Sequence, residues 1–115
     1  MSEQPETVIC NYQVKSGHEA EFEALLSTHW PALHDAGLTT DTPPLIFRGR
    51  ASGKPDGRHG AEGRYVEIFE WKHADAAGIA HQTPEIMAVW EPMGAICSDM
   101  DFPHFDPIDP IGAGG

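Results

Sequence analysis

The sequence predicts an α+β fold of the split β-α-β, ferredoxin-like type: a four-stranded antiparallel sheet with helices on one face. Three observations point there. The chain has 115 residues, 40% of them hydrophobic, which suffices for one small-cored domain and leaves no room for a second. Apolar residues recur in the order strand, helix, strand, strand, helix, strand. Glycine and proline punctuate the joints between these runs. The domain is expected over 1–105, with a Pro- and Gly-rich tail over 106–115.

Thr7 to Val14 reads as the first strand, with Val8, Cys10, Tyr12 and Val14 alternating against Ile9, Asn11 and Gln13. Ser16 followed by Glu19 is a capping-box pattern and predicts a helix start. Phe22, Leu25, Leu26, His29 and Leu33 then form one stripe, and Gly37 supplies the stop. Pro31 lies inside this run, which predicts a kink or break near Thr28 to Trp30. Pro43 and Pro44 open a second strand, Leu45 to Arg50. Ala51 to Gly63 holds four glycines and no periodicity, as a hairpin connection does. Arg64 to Trp71 is the third strand, with Tyr65, Glu67, Phe69 and Trp71 on one face and Val66, Ile68 and Glu70 on the other. A short helix follows over Ala74 to His81. Thr83-Pro84 opens another, with Ile86, Val89, Trp90, Met93 and Cys97 as its stripe and Pro92 bending it. A last strand is expected around Met100 to Phe105.

A sheet with helices on one side leaves its other face open. Ile9, Val66 and Ile68, or their neighbours of opposite parity, would meet water there. In a chain this short a second copy is the simplest cover, so a homodimer is expected. Eighteen acids against seven bases give a net charge of -11, which argues against nucleic acid and against anionic membranes as partners. No apolar run approaches the roughly 20 residues of a membrane span. The polar start, Met1 to Thr7, does not read as a signal peptide, and the two cysteines, Cys10 and Cys97, are too few for a disulfide framework. A cytoplasmic protein is expected.

Several chemistries find no support. His18-Glu19 begins a helical zinc signature, but Phe22 stands where the second histidine belongs, so no metal is expected. No Gly-x-Ser-x-Gly occurs, and Cys10 and Cys97 both sit on apolar faces. Gly49 to Lys54 is too short for a phosphate loop, and Pro55 replaces its Ser/Thr. Arg48, Arg50, Lys54, Arg58 and Arg64 make a basic segment in an acidic chain. It reads as a solvated hairpin or as a receiver of an anion. The aromatic and histidine set is the best site candidate. Asn11, Tyr12, His29, Trp30, Trp71, His81 and Trp90 could meet between helices and sheet, in a cleft suited to a flat apolar ligand.

The chain resembles the dimeric α/β-barrel proteins of the antibiotic biosynthesis monooxygenase type. The resemblance rests on the strand end Tyr12-Gln-Val-Lys-Ser-Gly17, the Glu-rich helix after it, Tyr65-Val-Glu-Ile-Phe-Glu-Trp71, Ala76-Ala77 and Ala80-His81-Gln-Thr-Pro84, and runs from about Val8 to Phe105. It implies two sheets paired into a barrel and a ligand pocket between helices and sheet. It also implies, for several members, oxidation of polycyclic phenols or quinols by molecular oxygen without a cofactor. Asn11 fits the family's strand-one asparagine, and His81 approximates a histidine of the short helix, although Glu85-Ile86 replaces the family's His-Phe after Pro84. Ala80 and Trp90 stand where the haem-degrading branch carries tryptophan and histidine, so haem degradation is not expected. On this reading His81 is the base and Asn11 the donor to a developing oxyanion, with His29, Trp30, Tyr12, Trp71 and Trp90 around a small aromatic or polyketide-like ligand and no cofactor. Two other readings stay open: a non-catalytic ligand-binding dimer, and an assembly protein using its tail as an arm.

Overall fold

The computed structural model describes residues 4–108. Its elements are β1 (Glu6–Val14), α1 (Glu19–Asp35), β2 (Leu45–Arg48), β3 (Arg64–Trp71), α2 (Ala76–His81), α3 (Pro84–Ala95), β4 (Cys97–Asp101) and β5 (His104–Phe105). The strands lie in the order β2-β3-β1-β4, all antiparallel, with β5 pairing β1 beyond β4. This is the α+β, ferredoxin-like arrangement. Of the expected tail, Asp106 to Ile108 have no regular structure, and 109–115 lie outside the described residues.

Parity along the strands decides what meets the helices, because successive side chains point to opposite faces. Val8, Cys10, Tyr12 and Val14 of β1, and Tyr65, Glu67, Phe69 and Trp71 of β3, are buried beneath the helices. The stripe of α1 comes down on them as Phe22, Leu26, His29 and Leu33. Phe22 is fully buried between Tyr12 and Tyr65, at ring distances of 4.9 and 5.0 Å. Ile86 and Met93 of α3 complete the layer.

The opposite face carries Ile9, Val66 and Ile68, with Leu45 and Phe47 of β2 facing Ile68 and Val66 across the ladder. Leu45 and Phe47 are 58% and 54% exposed, and Phe105, opposite Thr7, is 47% exposed. A row of apolar side chains thus lies uncovered on the helix-free side.

Several expectations change in detail: β2 ends at Arg48 and not Arg50, and the strand expected over Met100 to Phe105 begins at Cys97 and is interrupted before β5. Ser16 does not cap α1. Gly17 turns the chain with φ +89°, helix entry moves to His18, and Glu19 reaches back to accept from the Gly17 N–H at 2.9 Å. The helix also runs unbroken through Pro31, whose side chain is exposed. Cys97 leaves the α3 stripe and begins β4, because the helix ends at Ala95.

Candidate functional site

Between α1, α2, α3 and the sheet lies a cavity of about 360 Å³. Val8, Phe69, Trp71 and Met93 form much of its apolar wall, and Met100 and Phe102 close it from the β4 side. His81, Glu91 and His104 also border it, and Tyr12, His29 and Trp90 bring polar atoms to its inner wall.

Those polar atoms are joined in one chain. The Trp90 indole N–H donates to His29 Nε2 at 2.7 Å. An indole nitrogen can only donate, so Nε2 accepts and Nδ1 carries the ring hydrogen. His29 Nδ1 then donates to Glu67 Oε1 at 2.8 Å. The Tyr12 hydroxyl donates to the same oxygen at 2.8 Å. Glu67 is fully buried, and its Oε2 has no hydrogen-bonding partner among the described residues. The chain ties two helices to two strands, and it places a histidine with a carboxylate behind it on the cavity wall.

Burial keeps the neighbouring acids protonated. It drives the Tyr12 hydroxyl far above the ordinary tyrosine value, with Cys10 and Glu67 adding to the effect. It likewise pushes the Cys10 thiol up, helped by Glu67, so Cys10 is a core residue and no nucleophile. Cys97 is raised by burial too. Among the described residues no three His, Cys, Asp or Glu side chains gather to hold a metal. No helix of the described residues is long and apolar enough to cross a membrane.

Over most of its length the chain shares its architecture with solved structures of low sequence identity. SnoaB, a cofactor-independent oxygenase from Streptomyces nogalater, superposes with a TM-score of 0.68 at 18% identity, over 94% of this chain and 97% of that one. PA3566 from Pseudomonas aeruginosa gives 0.70 at 13% identity, over 95% of this chain and all of its own. A Bordetella bronchiseptica protein provisionally named an antibiotic biosynthesis monooxygenase gives 0.68 at 17% identity, over 90% of this chain and 97% of that one. The fold is that of the antibiotic biosynthesis monooxygenases. No protein-family model matches the chain, and no curated protein matches it in sequence.

Within that fold the residues expected at the site divide. Tyr12, His29, Trp71, His81 and Trp90 border the cavity. Trp71 points to the helix side, against Phe69 at 5.0 Å. His81 stands exposed at the mouth, edge-on to Trp90 at 4.8 Å. Asn11 does not join them. Strand parity turns it to the open face, where it bonds the Ile9 carbonyl at 3.3 Å and lines a depression with Phe47, Arg64 and Asp101. Trp30 is also absent from the wall: one helical step from His29, it stacks on His34 at 4.6 Å. The basic segment divides as well. Arg48 makes a two-pronged pair with Glu23 at 2.8 and 2.9 Å, and Arg58 pairs with Asp56.

Glu67 is the residue the sequence reading passed over. The signal was there: an acid at an apolar-face position between Tyr65 and Phe69 must find a buried partner. His29, a polar residue on an apolar helix stripe, posed the same question from the other side.

Proposed function

We propose that the cavity binds a small, flat hydroxyaromatic compound and that the chain promotes its reaction with molecular oxygen without a cofactor. The observation that carries this reading is the cavity itself: about 360 Å³, walled by aromatic rings and methionines, with imidazoles at its inner wall and mouth. That volume lies at the small end of ligand pockets and suits a molecule of two or three rings. The shared fold with SnoaB supports the reaction class. A base takes the proton of a phenol or enol, and the resulting anion is electron-rich enough to react with oxygen. At an activated CH₂ carbon one oxygen atom becomes the new carbonyl. The other leaves as water with both hydrogens, and the substrate supplies the electrons. Three imidazoles border the cavity; His81 at the mouth and His29 within are candidates for the first step, while His104 is tied to Glu6. Asn11 lies on the opposite face, so donation to the developing oxyanion falls to the Trp90 indole N–H.

The uncovered row of Leu45, Phe47 and Phe105 supports a homodimer built sheet to sheet. One feature favours a second reading, a non-catalytic binding protein: His29 Nε2 is already occupied by the Trp90 N–H. Oxygen uptake measured with a panel of two- and three-ring phenols, with products weighed by mass spectrometry, separates the two. Uptake with a product heavier by one oxygen and lighter by two hydrogens supports the oxygenase. Binding without uptake supports the binder. No binding of any member sinks both.

A further inference from the structure

The hydrogen bond from Trp90 to His29 lies on the cavity wall, and both of its residues line the cavity. One partner offers a donor and the other an acceptor. A hydroxyl is both at once. We propose that this hydrogen bond is a hydroxyl subsite: the ligand's acidic O–H inserts between the two rings, accepting from the indole N–H and donating to His29 Nε2. His29, backed by Glu67, is then the general base. This rests on the reading that the cavity takes a hydroxyaromatic ligand.

Three observations carry it. The tautomer is right, because the indole N–H holds Nε2 as the acceptor facing Trp90 and leaves the hydrogen on Nδ1. The second partner is right, because a buried carboxylate 2.8 Å from Nδ1 stabilises the imidazolium that forms when Nε2 takes a proton. The partner can yield, because Trp90 is half-buried, whereas His29 and Glu67 are held in the core at 3% and 0% exposure. In the proton-transfer step the ligand O–H bond breaks and an Nε2–H bond forms. The electron pair stays on the ligand oxygen, beside the indole donor.

No other group facing His29 competes for the proton. From β1 come Tyr12 and Cys10, both kept neutral by burial; from β3 comes Glu67, already bonded to Nδ1. The remaining titratable groups around the cavity are His81, which is exposed at its mouth, Glu91, also exposed, and His104, tied to Glu6 at 2.9 Å. His81 is therefore a neighbour of the entrance, and the inner base is His29.

The test compares 7-hydroxycoumarin, whose anion absorbs and fluoresces at longer wavelength than its neutral form, with 7-methoxycoumarin, which has the same rings without the proton. Full-length protein is titrated with each across neutral pH. Bound hydroxycoumarin is expected to show an anion-to-neutral ratio about tenfold above the free compound at the same pH, a shift of about one unit. Glu67→Gln keeps the acceptor oxygen and the shape, so methoxycoumarin affinity should stay within about twofold while the anion excess disappears. A loss of affinity for both compounds alike would mark Glu67 as structural only and overturn the inference. An anion excess retained in Glu67→Gln but lost in His81→Asn would also overturn it. If Glu67→Gln does not fold, the anion-to-neutral ratio of hydroxycoumarin bound to His29→Gln decides: loss of the excess supports the inference and its retention overturns it. Methoxycoumarin binding without any anion excess in the wild type sinks the subsite and leaves the cavity reading standing. Failure of both compounds to bind sinks the cavity reading and the subsite with it.

Discussion

Replacing Tyr12 by Phe removes one oxygen atom and little else. The ring keeps its packing on Phe22 at 4.9 Å and on Phe102 at 5.9 Å. What goes is the hydroxyl that donates to Glu67 Oε1 at 2.8 Å. Glu67 is fully buried and its other oxygen is already without a partner, so water cannot restore the bond cheaply. A hydrogen bond to a charged group contributes about 2 kcal/mol. At about 2.1 cal/mol/K per residue, 115 residues have an unfolding entropy near 240 cal/mol/K, or about 4 °C per kcal/mol. Tyr12→Phe should therefore lower the melting midpoint by about 8 °C. Circular dichroism at fixed protein concentration reads it, and a urea series should show a lower midpoint with unchanged slope. In the Glu67→Gln background, where the acceptor is neutral, the same substitution should cost only about 1 kcal/mol. A shift below about 2 °C in the wild-type background would refute the reasoning, since a hydroxyl so placed cannot be lost without effect.

The chain's two tyrosines, Tyr12 and Tyr65, both have hydroxyls held above the ordinary value near 10. For Tyr65 burial comes first and the hydrogen bond it gives to Glu23 second, together raising it to about 12. A raised acid stabilises the folded state fully below the unfolded value and loses that contribution as pH climbs toward the folded one. At about pH 10.5 an unperturbed tyrosine is about three-quarters ionised, so the folded protein should show almost no tyrosinate absorbance there; a half-developed signal would contradict both placements. Phe47→Asp puts a charge on the uncovered sheet face beside Val66. Sedimentation at micromolar concentration should show a dimer for the wild type and a folded monomer for the variant, and a monomeric wild type would remove the sheet-to-sheet assembly.

The strands and the helix-facing stripe were legible because burial imposes a period, and a period survives in sequence. β3 begins and ends at Arg64 and Trp71, as the alternation requires. The parity of β1 was equally legible and already separated Asn11 from Tyr12. Placing both at one site set a family position against the strand's own geometry, and the geometry decided. The helix start illustrates a different limit. Ser16 and Glu19 satisfied a local pattern, but Gly17 with positive φ diverted the backbone, and Glu19 accepts from the Gly17 N–H instead of that of Ser16. Pro31 was read as a break although an isolated missing N–H in a helix otherwise held by four buried residues need not end it. Glu67 was hidden for the deepest reason. Its partners lie 55 and 38 residues away, and neither separation is visible until the sheet and α1 are assembled.

The central claim is that the space between helices and sheet receives a flat aromatic ligand. Of the four methionines in the chain, Met87, Met93 and Met100 border that space. Methyl-labelled methionine gives each a separate NMR signal. Adding 7-methoxycoumarin should move all three by ring-current shifts and saturate with a single affinity. Unmoved signals at ligand concentrations that saturate no other part of the molecule, or shifts confined to residues of the open sheet face such as Asn11 and Phe47, would contradict it.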